Sequence, residues 1–454
     1  MVKNEIYTVD IEGFSSSGDG IARIDGFVVF VKGAIAGERC RIKLLKVGKR
    51  EAYARIEDVL IPSAHRVQPV CPVYGKCGGC TLMHMDYAQE LELKRGRVLE
   101  ALRRIGGLDM DELTITGAPS ELGYRNKCIY AVGRDSRGRA VTGFFRRRTH
   151  DIVGVSRCAI EAEVSDRAAR AVRRWMDECR VQPYDEQTRS GTVRHVFCRY
   201  GFASAQAQVT IVSAKDKIPD APRLLRLLQE ECPEMVSLVL NVNKTVGNTV
   251  LSGTFRTIWG EDCIHDTLCG LDFKLSPRSF YQINRAQAER LYKRVAELAE
   301  LTGNETVLDL YCGTGTITLC LAGSAKVAIG AEIVPDAVDD AWDNAARNGI
   351  ENARFICADA FAAAAQLRDE GIYPDVVVAD PPRKGLAKEV VEIIAHMFPK
   401  RIVYVSCDPA TLARDLKLFG ELGYPTVHAE AFDMFPRTGH VESVVLMTRR
   451  DSMI

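Results

Sequence analysis

Two side chains near the C-terminus are of types that can act in turn on one small heterocycle. Cys407 follows the apolar run Arg401-Ile-Val-Tyr-Val-Ser406 and precedes Asp408-Pro409, while Glu442 closes the segment Phe435-Pro-Arg-Thr-Gly-His-Val-Glu442. A thiol adds to an electron-poor carbon and a carboxylate takes a proton in the elimination that follows, so the pair points to covalent catalysis completed by a general base. Such a nucleophile needs a rigid support. The β-branched and aromatic run ahead of Cys407 reads as a buried parallel strand, and a doubly wound α/β sheet keeps its ligands at the carboxyl ends of such strands. Asp408-Pro409 stops the strand, Thr411 to Asp415 opens a helix, and a thiol near a helix N-terminus is expected to gain thiolate character.

The same sheet supplies a second binding site. Thr306-Val-Leu-Asp309-Leu-Tyr-Cys-Gly313-Thr-Gly315-Thr316 is followed by a helix to Leu321 and then by Val327 to Glu332. A strand, a Gly-x-Gly turn and an acidic residue at the end of the next strand make the nucleotide-binding half of a Rossmann-like sheet, with Glu332 placed to hold ribose hydroxyls. Thr318 stands where the dinucleotide fingerprint has its last glycine. The turn therefore suits a nucleoside such as S-adenosylmethionine better than a pyrophosphate. Asp359, in Cys357-Ala-Asp-Ala360, is expected near the adenine, and Asp380 ends the strand Val376-Val-Val-Ala379 ahead of two prolines. Asp380 is expected to accept a hydrogen bond from the target base while the rigid prolines shape its pocket.

A different chemistry is written earlier in the chain. Cys71-Pro-Val-Tyr-Gly-Lys-Cys77-Gly-Gly-Cys80 packs three thiols around glycines that let the backbone fold about a metal centre and offer amides to sulfide. An iron-sulfur cluster and zinc both fit that spacing, and each needs a fourth soft ligand from elsewhere. Cys158, in Ser156-Arg-Cys-Ala159, is the candidate.

Ahead of the cysteines, residues 1–60 alternate apolar and polar positions between glycine-bearing turns, which reads as a small β-barrel. Lys32, Arg41, Lys43, Lys46, Lys49 and Arg50 would let it grip an RNA backbone. Helical spacing from Tyr87 to Leu108 puts Leu91, Val98, Leu99, Leu102 and Ile105 on one side and stops at Gly106-Gly107. Strand-like segments then recur through a mixed α+β stretch to about residue 275. Its Tyr124-Arg-Asn-Lys127 carries basic and aromatic side chains suited to RNA. The expected division is residues 1–60, 61–275 and 276–454.

Composition narrows the setting. With 454 residues and 46% hydrophobic content the chain can bury several cores, and no apolar stretch is long enough to span a bilayer. The start of the chain has no signal-peptide segment, so fifteen cysteines read as thiols and metal ligands in a cytoplasmic protein. Sixty basic residues balance sixty acidic ones, so any contact with nucleic acid must come from local clustering such as Arg146-Arg147-Arg148.

Taken together, these segments resemble the RNA uracil C5-methyltransferases that carry an OB-like TRAM domain and a 4Fe-4S cluster, the group acting on 23S ribosomal RNA. The resemblance runs over essentially the whole chain; the transfer-RNA branch of the family generally lacks both extra parts. It implies a C-terminal Rossmann-like class I methyltransferase, a mixed α+β central domain and an N-terminal OB-like barrel. By the same resemblance Cys71, Cys77, Cys80 and Cys158 hold the cluster, and Gln282, Tyr311, Glu332 and Asp380 belong to the S-adenosylmethionine site. Cys407 is then the nucleophile at uracil C6 and Glu442 the base at C5, acting on a uridine extruded from its stack between walls such as Phe280 and Tyr281. Met83-His84 departs from the glutamine-histidine of many relatives. A monomer with no membrane association is expected, with a transfer-RNA enzyme and a non-catalytic iron-sulfur RNA-binding protein as the alternatives.

Overall fold

The computed structural model describes residues 1–15 and 17–450. The N-terminal strands form a six-stranded sheet in the order Ile6–Asp10, Arg39–Val47, Glu51–Ile61, Phe27–Lys32, Gly20–Ile24, Gly13–Phe14. Alternation does what a pleated strand requires: Cys40, Ile42 and Leu44 turn into the core with Val9, Ala22, Val29 and Val31, while Arg39 and Arg41 face out. This barrel is not a loose appendage. Ile35 packs with Leu82, Met85 and Leu93 in a separate small core, and the buried Glu38 carboxylate pairs with Arg66 beyond the barrel.

A seven-stranded sheet follows, ordered Ile152–Gly154, Ala140–Phe145, Lys127–Arg134, Val193–Gly201, Gln206–Ser213, Met235–Val242, Thr254–Gly260. Helices Glu163–Glu178 and Ala221–Glu231 cover one face, around the fully buried Trp175. The opposite face, carrying Lys127, Phe197 and Arg199 by strand alternation, turns toward the C-terminal sheet; Arg199 reaches the carbonyl of Ser279.

The C-terminal sheet has eight strands, in the order Ala353–Cys357, Val327–Glu332, Thr306–Leu310, Val376–Ala379, Arg401–Ser406, Glu442–Thr448, Thr426–Phe432, Thr114–Thr116. Its first five are parallel, and Glu442–Thr448 inserts antiparallel beside Arg401–Ser406. This is a Rossmann-like α/β sheet with helices on both faces. No helix among the described residues is long and apolar enough to cross a membrane.

One helix ties these layers together. Tyr87–Arg104 starts at Asp86, whose side chain accepts from the amide of Gln89 at 2.8 Å, and ends where a Cβ on Gly106 would stand 2.6 Å from the Leu102 carbonyl oxygen. Its Val98 and Leu102 share a core with Leu412, Ala413 and Leu416 of the helix Pro409–Glu421. Ile105, expected on the buried side, is 45% exposed. The buried side instead includes Glu90 and Lys94, a charged pair that an apolar periodicity does not report. The strand Thr114–Thr116 also joins the C-terminal sheet, so residues ahead of the central sheet help to build it.

Candidate active site

Strand register brings the two chemical groups together. Val405 pairs with Val444 and Ser406 with Ser443, so continuing the antiparallel ladder by one residue sets Cys407 opposite Glu442 at the same end of the sheet. Neighbouring strands lie about 4.8 Å apart, which puts both residues within reach of one base. Asp380 follows Ala379 on the other neighbour, where Ala379 pairs with Tyr404. Three adjacent strands therefore end in a thiol and two carboxylates.

Their electrostatics correct one expectation. Burial, followed by the charges of Glu442 and Asp380, pushes the Cys407 thiol up to about 11, against the opposing pull of Arg383. The helix that was to acidify it spends its first amides on its own cap: Ala410 and Thr411 donate to the Asp408 carboxylate at 3.0 and 3.1 Å. Cys407 is thus a neutral thiol in the free protein. Glu442, only 5% exposed, is raised well above the ordinary carboxyl range by burial and then by Asp380. Asp380 is brought by burial to about 7.

The nucleoside turn lies at the same edge. Gly313 and Gly315 take φ of 55° and 80°, which glycine adopts without strain. Glu332 accepts from the amides of Gly313 at 3.1 Å and Val334 at 3.0 Å, fixing its carboxylate at the strand end. Thr318, in place of the fingerprint's last glycine, donates at 2.6 Å to the buried Asp309. Tyr311 is half-buried at the turn with φ of 68°, and Gln282 lies in the segment whose neighbour Phe280 accepts from the Thr314 hydroxyl at 3.4 Å. A cavity of about 730 Å³ runs from Ser276–Phe280 past Gly313 to Glu332 and Asp340. Asp359 is exposed and caps the helix Ala360–Asp369, accepting from Ala362 at 2.9 Å. The two expected walls part company: Phe280 is 60% exposed, whereas Tyr281 is core, its hydroxyl 3.3 Å from the Asp266 carboxylate.

A family described as tRNA (Uracil-5-)-methyltransferase matches residues 260–450, and the TRAM domain matches residues 3–56. An uncharacterized RNA methyltransferase of Clostridium acetobutylicum is 41% identical over 452 residues, covering 99% of this chain and 98% of that protein. The chain belongs to the RNA uracil-5-methyltransferase family. An uncharacterized RNA methyltransferase of Listeria innocua is 40% identical over 98% of both chains. Among solved structures, the Pyrococcus abyssi tRNA (uracil-54, C5)-methyltransferase in complex with S-adenosyl-L-homocysteine superposes with a TM-score of 0.80 at 27% identity, covering 97% of this chain and 99% of that one. This uracil-5-methyltransferase thus has the class I α/β methyltransferase fold.

The four cysteines also meet. Cys71, Cys77, Cys80 and Cys158 line one cavity of about 580 Å³, and none is in a disulfide. The Gly79 amide points at the Cys77 sulfur at 3.4 Å, and burial with the neighbouring thiols raises Cys80 to about 12. Among the described residues no three His, Cys, Asp or Glu side chains close around a point as a single metal ion requires. Met83 is a buried wall of this cavity.

Several residues without an assigned role connect that cavity to the sheet edge that carries Cys407 and Glu442. The amides of Thr81 and Leu82 donate to the Arg437 carbonyl at 2.9 and 3.1 Å. Lys94 reaches Glu90 at 2.7 Å, Asp433 at 2.6 Å and the Phe435 carbonyl at 3.2 Å. His440 lines the cysteine cavity and meets Arg383 at 2.9 Å. The signal for Lys94 was its place four residues after Glu90 on an otherwise apolar helix side. The signal for the others lay only in their nearness to Glu442. In the barrel, Lys32, Lys46, Lys49 and Arg50 are exposed without an ion-pair partner among the described residues, while Arg41 is 3.5 Å from Asp58.

The raised thiol makes a measurable prediction. Alkylation of Cys407 by iodoacetamide in the free enzyme is expected to be slow at neutral pH and to climb about tenfold per pH unit toward its plateau near 11. Peptide mass spectrometry of the Cys407 fragment checks it. A plateau already reached at neutral pH would mean a preformed thiolate.

Proposed function

We propose that this enzyme methylates C5 of a uridine in 23S ribosomal RNA through a covalent adduct on Cys407. The observation that supports the chemistry is the register that sets Cys407 opposite Glu442, with Asp380 on the next strand. The uridine must leave its stack to reach that edge. Cys407 adds to C6, and the electron pair of the C5–C6 bond moves toward O4, making C5 nucleophilic. S-adenosylmethionine held at the Gly313–Gly315 turn would supply the methyl group that C5 takes, its sulfonium sulfur leaving as the neutral thioether of S-adenosylhomocysteine. Gln282, Tyr311, Glu332, Asp359 and Asp380 are proposed to hold it or orient the base. Glu442 then takes the C5 proton, the C5–C6 double bond re-forms, and the Cys407 sulfur leaves. Arg383, the cation that opposes the upward shifts of both groups, favours their ionised forms.

The choice of ribosomal RNA rests on the pairing of barrel and cysteine cavity. Four thiols lining one cavity suit a multi-atom group, and a 4Fe-4S cluster held by Cys71, Cys77, Cys80 and Cys158 would clip the 71–80 loop to the central sheet. Anaerobically purified protein is expected to contain iron and acid-labile sulfide, and Cys158→Ala to lose them. Stoichiometric zinc without sulfide would overturn the cluster.

A transfer-RNA substrate is the second reading, favoured by the Pyrococcus abyssi enzyme, whose likeness extends over 97% of this chain. Mass-spectrometric mapping of 5-methyluridine in ribosomal and transfer RNA, with and without this protein, separates the two. Loss confined to 23S ribosomal RNA is the expected result, with the enzyme working as a monomer in the cytoplasm.

A further inference from the structure

Two cations stand side by side on one face of the central sheet, neither of them in an ion pair among the described residues. Lys127 and Arg199 are register partners on the antiparallel strands Lys127–Arg134 and Val193–Gly201. Like charges set directly opposite destabilise a strand pair. Among the described residues Lys127 has no hydrogen-bond or ion-pair partner, although it is only half-buried. Arg199 is 2% exposed; it donates once, to the Ser279 carbonyl at 2.7 Å, and its Nε and Nη1 have no partner. The nearby Arg125 is different, because Glu161 pairs with it at 2.9 Å. Asp340, the carboxylate on the Arg199 side, is engaged by the Ser279 hydroxyl at 2.7 Å.

Burial and the repulsion of Arg199 and Arg125 bring the Lys127 ammonium down to about 8 against the pull of Glu161, and burial lowers Arg199 to about 10 against Tyr281 and Asp340. Arg199 also lies 5.7 Å from the centre of the Phe197 ring, so the fold holds two adjacent cations with no carboxylate paired to either among the described residues. Their surroundings say what they face. Asn126 bonds the carbonyl of Gln282 at 2.9 Å, and Ser279 and Gln282 flank the exposed Phe280 at the nucleoside turn.

From this juxtaposition we propose that Lys127 and Arg199 form a receptor for an anionic oxygen ligand, a backbone phosphate of the substrate RNA beside the extruded uridine. The inference rests on the RNA-methylation reading and adds a binding site to it. An extruded base leaves its flanking phosphates at the mouth of the crevice, and the half-buried Lys127 gives them a way in to the unpartnered donors of Arg199. The carboxylate of S-adenosylmethionine shares this chemistry, and the test separates the two sources.

The test uses the full-length protein with dodecauridylate as probe, comparing wild type with Lys127→Gln. Binding is measured at several salt concentrations, the affinity for S-adenosylhomocysteine by calorimetry, and thermal unfolding without ligand. Losing one phosphate contact should lower the log–log salt slope by about 0.7, or about five-fold in affinity at 0.1 M salt if the curves meet at 1 M. The same change should raise the melting temperature of the free protein, because it removes a repulsion, and should leave S-adenosylhomocysteine affinity unchanged. Arg199→Lys, which keeps the charge but loses the fork, is the second variant and should weaken RNA binding with a smaller change of slope. Unchanged RNA affinity and slope would overturn the proposal, as would a loss confined to S-adenosylhomocysteine, which would assign the pair to the cofactor's carboxylate. A wild-type enzyme that binds dodecauridylate in this way but adds no methyl group to uracil in ribosomal or transfer RNA would sink the functional reading and leave the phosphate site standing.

Discussion

Glu442→Gln is expected to leave RNA covalently joined to Cys407. Addition to C6 and methyl transfer to C5 precede the step that needs a base, so an amide at position 442 stops the cycle after the adduct has formed. Removing a general base typically costs about 10²–10⁴ in rate, enough for the trapped species to accumulate. It should migrate as a denaturation-resistant protein–RNA band, and a digest should place the methylated nucleotide on the Cys407 peptide. Cys407→Ala alone should abolish methylation, and added to Glu442→Gln it should abolish the band. An adduct that persists without Cys407 would refute the nucleophile. The same substitution carries a stability signature. Burial raises the folded-state pKa of Glu442 above its ordinary value, so the contribution of this group to stability is present below that ordinary value and lost as pH rises through the folded one. At neutral pH the buried acid is therefore a liability, and the Gln variant should unfold at a higher temperature than wild type.

That liability also marks where sequence reasoning stopped. Local signals carried the elements well: Arg401–Ser406 and Val327–Glu332 are strands over the residues that their β-branched composition and following turn residues indicate. The Gly313–Gly315 turn was legible for the same reason, since a strand, two glycines and an acidic strand end are close in sequence. The protonation state of Cys407 was not, because it depends on Glu442 and Asp380, which arrive from other strands, and on Asp408 answering the helix dipole. The long strand Glu51–Ile61 also escaped notice. Its apolar and polar residues fall out of step, and its ladder with Arg39–Val47 slips at three points. Thr114–Thr116 is three residues long and pairs with Thr426–Phe432, far along the chain. Tyr281 and Phe280 are adjacent aromatics with equal claims in the sequence; alternation sent one into the core and left the other at the crevice.

Lys94→Met is expected to be among the most damaging single changes outside Cys407, Glu442 and Asp380. Lys94, Glu90 and Asp433 have fully buried side chains, and the lysine ammonium also holds the Phe435 carbonyl. Breaking a buried ion pair from one side costs about 3–5 kcal/mol, since the partner charge stays behind without compensation. Methionine matches the length of the lysine stem, so the loss comes from the charge and its hydrogen bonds more than from packing. Two carboxylates would then face each other in a dry site, and Glu90 is raised by burial even with the lysine present. In the variant its folded-state pKa must climb further. The stability of such a raised acid is present below its ordinary pKa and lost as pH rises, so the deficit against wild type should be largest at neutral pH and shrink on acidification. Urea unfolding of both proteins at neutral and mildly acidic pH measures this, and a deficit that is small or independent of pH would show that the lysine charge is not what holds the junction. Activity supplies the second readout. The Asp433–Val441 segment leads directly into Glu442, and Lys94 anchors its first turn, whereas the Gly313–Glu332 turn is held by its own hydrogen bonds. Turnover should therefore fall in the folded fraction while S-adenosylhomocysteine affinity stays near wild type. The combined double change Lys94→Met with Asp433→Asn, which removes one stranded charge along with the cation, should recover part of the stability but little of the rate, because the neutral pair no longer fixes the loop that aims the base.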